Sequence, residues 1–173
     1  ALHCATQGPK AGPAIIMLHG LSDSWFSFSR VLPLVPSDRR VVAPDLRGHG
    51  DSDRPLLGYR VTDMADDVIR LMDALQIPKA AIVGHSMGSF VAQAIAEHAP
   101  ERVSRLVLLG SARVGDTPGM RELRAEVESP TDPVDFGFVR AFQYSTIAAP
   151  VPEEFMESAI RNSPRMPAHI WKK

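Results

Sequence analysis

Four short runs of consecutive apolar, β-branched-rich residues punctuate the chain, at 14–18, 41–43, 80–83 and 106–109. Because they are continuous rather than alternating, they predict strands buried on both faces, the pattern of a parallel sheet. Between them the apolar period changes. Trp25, Phe28, Val31 and Leu32 recur at helical spacing, as do Val61, Met64, Val68, Met72 and Leu75. Thr62 and Asp63 suit the start of this second helix and Pro78 its stop. Beyond Ser86, the residues Met87, Phe90, Val91, Ala94, Ile95 and His98 fall on one stripe, which predicts a helix packed on the sheet. Strands alternating with helices of this length need crossover connections. The expected architecture is therefore an α/β domain, a mostly parallel sheet with helices on both faces and ligands at the carboxyl ends of the strands.

From about Ser111 the pattern shifts. Prolines become frequent (Pro118, Pro130, Pro133, Pro150, Pro152, Pro164, Pro167) and no further strand run appears. The segments 134–142 and 153–160 each carry an apolar stripe bounded by prolines, which predicts short helices forming a small lid rather than more sheet. The expected division is a core over 1–115 and a partial helical cap over 116–173, whose last stretch carries no stop signal.

Composition narrows the function classes. A chain of 173 residues, 45% hydrophobic and 23% charged, has the length and usage of one soluble globular domain. Nineteen basic against twenty acidic residues leave a formal charge of -1, which argues against nucleic-acid and anionic-membrane partners. The single cysteine, Cys4, excludes an intrachain disulfide and makes the cytoplasm the expected compartment. No apolar stretch approaches the roughly 20 residues that span a bilayer. The start carries no basic n-region or apolar h-region, although a chain beginning at Ala1 leaves open a leader removed from view.

Candidate chemistry concentrates at two strand ends. Gly84-His85-Ser86-Met87-Gly88 directly follows Ala80-Ala81-Ile82-Val83 and opens a helical pattern, the context that a G-x-S-x-G nucleophile elbow requires. Such a turn throws one side chain out over the end of a strand, and glycines two residues either side admit neighbouring backbone. Ser86 is the candidate nucleophile; the alternative is a serine in an ordinary turn or helix cap. Upstream, Ile15-Ile16-Met17-Leu18 ends in His19-Gly20, where a loop can approach a substrate oxygen.

Leu18-His19-Gly20, the elbow, and Pro44-Asp45-Leu46-Arg47-Gly48-His49-Gly50-Asp51-Ser52 together resemble the α/β-hydrolase fold family, specifically its bacterial esterase-like members with a helical cap. The similarity runs to roughly Ser111 and is looser beyond. The resemblance implies acyl chemistry on a small-molecule ester, lactone or thioester, without metal or organic cofactor. Ser86 would attack the carbonyl carbon, and the backbone N–H groups of Leu21 and Met87 would hold the oxyanion. In this family the acid and then the histidine follow the nucleophile on later strands. Here only His98 and His169 follow it. Twelve residues along a helix put His98 roughly 18 Å away, out of reach. His169 has no strand before it to hold it rigidly. The chain thus resembles the amino-terminal portion of a capped hydrolase, with acid and base missing, and on its own is expected to show little esterase activity. Leu106, Val107, Leu108 and Leu109 would then form an exposed apolar edge, open to self-association or to pairing with a further segment.

Other residues read as structural. His19, His49 and His85 are expected to shape loops, and they lack the spacing of a metal cluster. Asp45, Asp51 and Asp53 fit turns, and Asp116 a loop. His19, Gly20, Trp25 and Phe142 are the candidates for the substrate pocket, with Phe136, Phe138 and Met156 as further cap residues for substrate contact or helix packing, while the helical spacing of Trp25 and Phe28 favours core packing for those two. Two other functions keep the same segments: a cofactor-free haloperoxidase, also resembled, and an inactive hydrolase scaffold that binds a small ligand or a partner chain.

Overall fold

The computed structural model describes residues 1–112, 118–128, 131–163 and 166–172, with Met120 in its backbone only. Five strands form one sheet in the order β1-β3-β2-β4-β5: β1 Cys4–Gln7, β2 Ala14–Leu18, β3 Arg40–Pro44, β4 Ala80–His85 and β5 Val103–Leu109. The β2–β3, β2–β4 and β4–β5 pairs are parallel, and β1 runs antiparallel to β3. The edge strand β1 has no counterpart among the sequence expectations. Its mixed residues Cys4, Ala5, Thr6 and Gln7 form no apolar run, and an edge strand needs none.

Alternation along the strands sorts the core into two layers. Ile16, Leu18, Val42 and Ile82 join the larger cluster with Met64, Val68 and Met72 of α1 (Val61–Ala74) and Val91 and Ile95 of α2 (Met87–His98). Met17, Val41 and Ala43 face the other way, onto Phe28 with Trp25 and Leu32. That second face is not covered by the single helix that the apolar spacing predicts. Residues Trp25–Phe28 and Leu32–Leu34 form two short 3-10 helices instead, the second with Pro33 in its first turn. Proline supplies no N–H to a longer helix, and the Ser24 hydroxyl closes the first turn by accepting from Phe26 N–H.

Helix α1 starts as its sequence predicts, with Asp63 Oδ2 accepting the Arg60 N–H at 2.9 Å. It stops before Pro78, however. Gln76 takes φ 55°, and the N–H groups of Gln76 and Ile77 close back on the carbonyls of Asp73 and Met72 at 3.0 and 2.8 Å. This is a Schellman closure with glutamine in the left-handed position usually held by glycine.

After β5 come α3 (Pro118–Val127), α4 (Phe136–Ser145), α5 (Glu153–Asn162) and the short α6 (Ala168–Trp171). Phe142, Phe138 and Trp171 form an aromatic knot, with Phe142 and Trp171 edge-on at 5.1 Å. β5 itself is exposed over nearly its whole length, with Leu106, Val107, Leu108 and Leu109 each about two-fifths accessible. Among the described residues no helix is long and apolar enough to cross a membrane.

Candidate active site

Residues 84–88 form a sharp strand-to-helix bend. Ser86 takes φ 50°, ψ -119°, a backbone conformation costly for any residue with a Cβ. Its N–H still donates to Leu109 O at 2.9 Å, so the bend begins where the sheet ladder ends. Its side chain makes no cap hydrogen bond to α2, as an ordinary helix-capping serine would. The flanking glycines are required by contact. A methyl on Gly88 would lie 2.3 Å from Leu18 O, and one on Gly84 2.3 Å from Gly88 O.

Ser89 and Ser111 brace the bend, and neither was singled out by motif. The fully buried Ser89 hydroxyl donates to Ser86 O at 2.6 Å and lies 2.9 Å from Ser111 Oγ, which Gln93 Nε2 also reaches at 3.2 Å. A serine one turn into a helix carries no pattern that separates it from any other.

The loop after β2 meets this bend. A methyl on Gly20 would sit 3.3 Å from each of Asp23 Oδ2, His85 Nδ1 and Ser86 Cβ, so three chemically active side chains surround one bare backbone position. Asp23 N–H closes a turn onto Gly20 O at 3.3 Å, with Ser22 held at φ 62°. Burial raises the Asp23 carboxyl pKa, which hydrogen bonds from Gln143 and Ser27 and the nearby His85 partly offset. Leu21 lies inside this turn. Met87 is the first residue of α2, where an N–H has no intrahelical acceptor and the helix dipole favours negative charge.

A cavity of about 610 Å³ opens beside these groups, lined by Ser86, Leu21 and Met87 at one part of its wall. The rest is largely apolar, with Val61, Met64, Phe90, Leu123, Val127 and Trp171. Trp171 and its neighbour Ile170 come from α6, a four-residue helix too short to show periodicity. The lining does not include His19, Gly20, Trp25 or Phe142. Gly20 adjoins Ser86, and Phe142 packs edge-on against Trp171. Trp25 packs on the far face of the sheet, its N–H anchored on Asp45 Oδ1 at 2.7 Å. Of the further residues expected to contact substrate, Phe136 is half exposed and Met156 is buried. Asp116 lies outside the described residues.

The histidines divide by surroundings. His19 is fully buried: its Nε2 accepts Leu46 N–H at 2.9 Å, which leaves the proton on Nδ1, 2.7 Å from Gly20 O. His49 stacks obliquely on it at 5.1 Å and directs Nδ1 to Arg47 O. Burial lowers their pKa values to about 4 and about 3, so both are neutral. His98 is exposed at the end of α2. His169 sits on α6 with its ring 6.4 Å from that of Tyr59. His3, Asp45 and Asp51 are the one described group with metal-like clustering, each offering a ligand atom within 4.8 Å of the others. Both Asp45 oxygens are already engaged, however, by His3 Nδ1 and the N–H groups of Trp25 and Asp51, which makes it the knot of its loop.

Neutral buried histidines make the fold acid-sensitive. Their folded pKa values lie below the unfolded value near 6.5, so their contribution is complete above that pH and lost as pH falls toward the folded values. Asp23, raised by burial, works in the opposite direction. Urea midpoints are expected to drop between pH 7 and pH 5 by the equivalent of on the order of 2 kcal/mol per histidine, and His49→Gln to flatten that slope.

Comparison with known proteins agrees with this architecture. The chain is 37% identical over 111 residues to an AB hydrolase superfamily protein of Bacillus subtilis, covering 62% of this chain and 39% of that one. It is 42% identical over 108 residues to a 2-hydroxymuconate semialdehyde hydrolase of a Pseudomonas species, covering 60% and 38%. An esterase of Exiguobacterium antarcticum superposes with a TM-score of 0.82 at 26% identity, covering 99% of this chain and 66% of the esterase. The chain thus spans about two-fifths of these curated relatives and two-thirds of that solved structure. The profile described as alpha/beta hydrolase fold matches residues 13–146, from β2 through the bend at Ser86 into α4, and the chain belongs to that family.

Proposed function

We propose that the chain is the nucleophile-bearing part of a serine-dependent acyl hydrolase acting on carboxylic esters or lactones. The observation that carries this reading is the strained, uncapped Ser86 on the wall of an apolar cavity. In the reaction, Ser86 Oγ forms a bond to the carbonyl carbon as its proton leaves to a base. The oxyanion is held by the N–H groups of Leu21 and Met87, and collapse of the adduct expels the alcohol and leaves an acyl-serine that water cleaves. An oxyanion-hole donor of this kind is worth about 10²–10³ in rate. The helices after β5 act as part of a cap over the cavity, and the acid and base are supplied by polypeptide that this chain does not carry. The exposed β5 is where such a segment pairs. The cytoplasm suits Cys4, a partly buried free thiol whose pKa burial raises to about 11. The relatives described above, an esterase and a semialdehyde hydrolase among them, support hydrolysis.

The test is p-nitrophenyl acetate hydrolysis by the 173-residue chain with and without added imidazole. Turnover is expected to be slow alone and to rise about tenfold or more as imidazole stands in for the missing base. Measured above the hydrolysis that imidazole catalyses in buffer without protein, the increment should vanish in Ser86→Ala; an increment over that background that survives the substitution would refute the reading. Monochlorodimedone halogenation in acetate and peroxide separates the haloperoxidase alternative.

A further inference from the structure

Gln143 on α4 is buried and projects its amide across to the loop that carries Leu21. Its Nε2 lies 3.1 Å from Ser22 Oγ, 3.2 Å from Asp23 Oδ1 and 2.9 Å from Ser163 Oγ at the end of α5. An amide nitrogen has two protons for these three acceptors, so the donor is fully used and one of its protons is shared. Both loop acceptors sit in a demanding turn: Ser22 is held at φ 62°, and Asp23 is a half-buried carboxyl, its pKa raised by desolvation, whose other oxygen faces Gly20. A left-handed serine and a desolvated carboxylate each persist only where the surroundings over-determine them.

We infer that Gln143 is a positioning residue that ties the helices after β5 to the oxyanion loop, so that seating α4 and α5 sets the geometry of residues 20–23. The inference rests on the proposed role of Leu21 for its meaning in catalysis, but the contact itself is independent of it. Gln143 never touches the reacting atoms; it acts through Ser22 and Asp23. The titratable groups near Asp23 are His85, from the end of β4, and, next to His85, the buried neutral His19 at the end of β2.

Hydrogen exchange of the full chain, read as protection factors at pH 5 and pH 8 against the wild type at the same pH, tests it. Gln143→Met keeps the volume and removes the donor, and should lower protection of residues 20–24 by at least about tenfold at both pH values while β2 and β4 stay within about twofold. Gln143→Glu places a second carboxyl against Asp23. The pair can share a proton at pH 5 and repels at pH 8, so the deficit should be about tenfold at pH 8 and shrink toward wild type at pH 5. A packing defect alone would show no such pH dependence. Unchanged protection in both variants, a pH-independent deficit in Gln143→Glu, or loss spread over the whole sheet would overturn the inference. Fluorophosphonate labelling of Ser86, followed in parallel, reports separately on the nucleophile: an unlabelled wild type removes the catalytic reading and leaves the exchange result to decide the contact.

Discussion

Gly88→Ala is expected to leave little folded protein. The added methyl would lie 2.3 Å from Leu18 O and 2.6 Å from His19 O, both backbone atoms of the central strand β2 and its exit. Neither can retreat cheaply, because Leu18 is paired to Gly84 in β4 and His19 is pinned by Leu46 N–H. Relief would require α2 to lift from the sheet, uncovering Val91, Ala92 and Ile95, all fully buried. Overpacking against backbone with loss of a helix–sheet contact exceeds about 4 kcal/mol, a large share of the 5–15 kcal/mol that typically holds a domain together. Urea unfolding followed by circular dichroism checks this. Gly119→Ala is the control: nothing lies within 4 Å of its added methyl, and in helix α3 the change should be neutral or stabilising by up to about 1 kcal/mol.

Ser86 should behave in the opposite sense. Ser86→Gly is expected to raise stability by about 1 kcal/mol, since glycine adopts φ 50°, ψ -119° without a Cβ penalty of about 1–3 kcal/mol, partly offset by its freer unfolded state. Ser86→Ala should change stability by less than about 0.5 kcal/mol, because the hydroxyl caps nothing. Both variants should lose all reaction at the site. A serine whose removal leaves or improves the fold while erasing chemistry is one whose conformation is held for function. Were Ser86 an ordinary cap, alanine would cost roughly 1 kcal/mol and glycine only a few tenths. Thermal unfolding of the three proteins separates the two patterns.

The central strands and the sharp bend at Ser86 were legible in the sequence because continuous apolar runs and a glycine-flanked serine each reflect one local requirement. β3 and β4 lie where the runs at 41–43 and 80–83 predict, and α2 begins directly after Ser86. Features that depend on remote partners were not legible. Residues 25–34 carry helical apolar spacing, yet Pro33 and the Ser24 cap break them into 3-10 turns against Met17 and Val41. The left-handed Gln76 ends α1 through a closure that a glycine would have advertised. The contribution of α6 to the cavity and the Gln143 contact, which joins residues 121 positions apart, follow from how the helices after β5 dock. The pocket expectation for Trp25 rested on residue type, and the anchoring of its N–H by Asp45 turns it to the other face.

The most direct measurement is the reaction of the purified chain with a fluorophosphonate, followed by intact mass and peptide mapping. The account predicts a single adduct on Ser86, formed about 10²–10³-fold faster than on any other serine, accelerated by imidazole and absent from Ser86→Ala. An adduct scattered over several hydroxyls, or no reaction at Ser86 beyond the rate of a free serine, would contradict it.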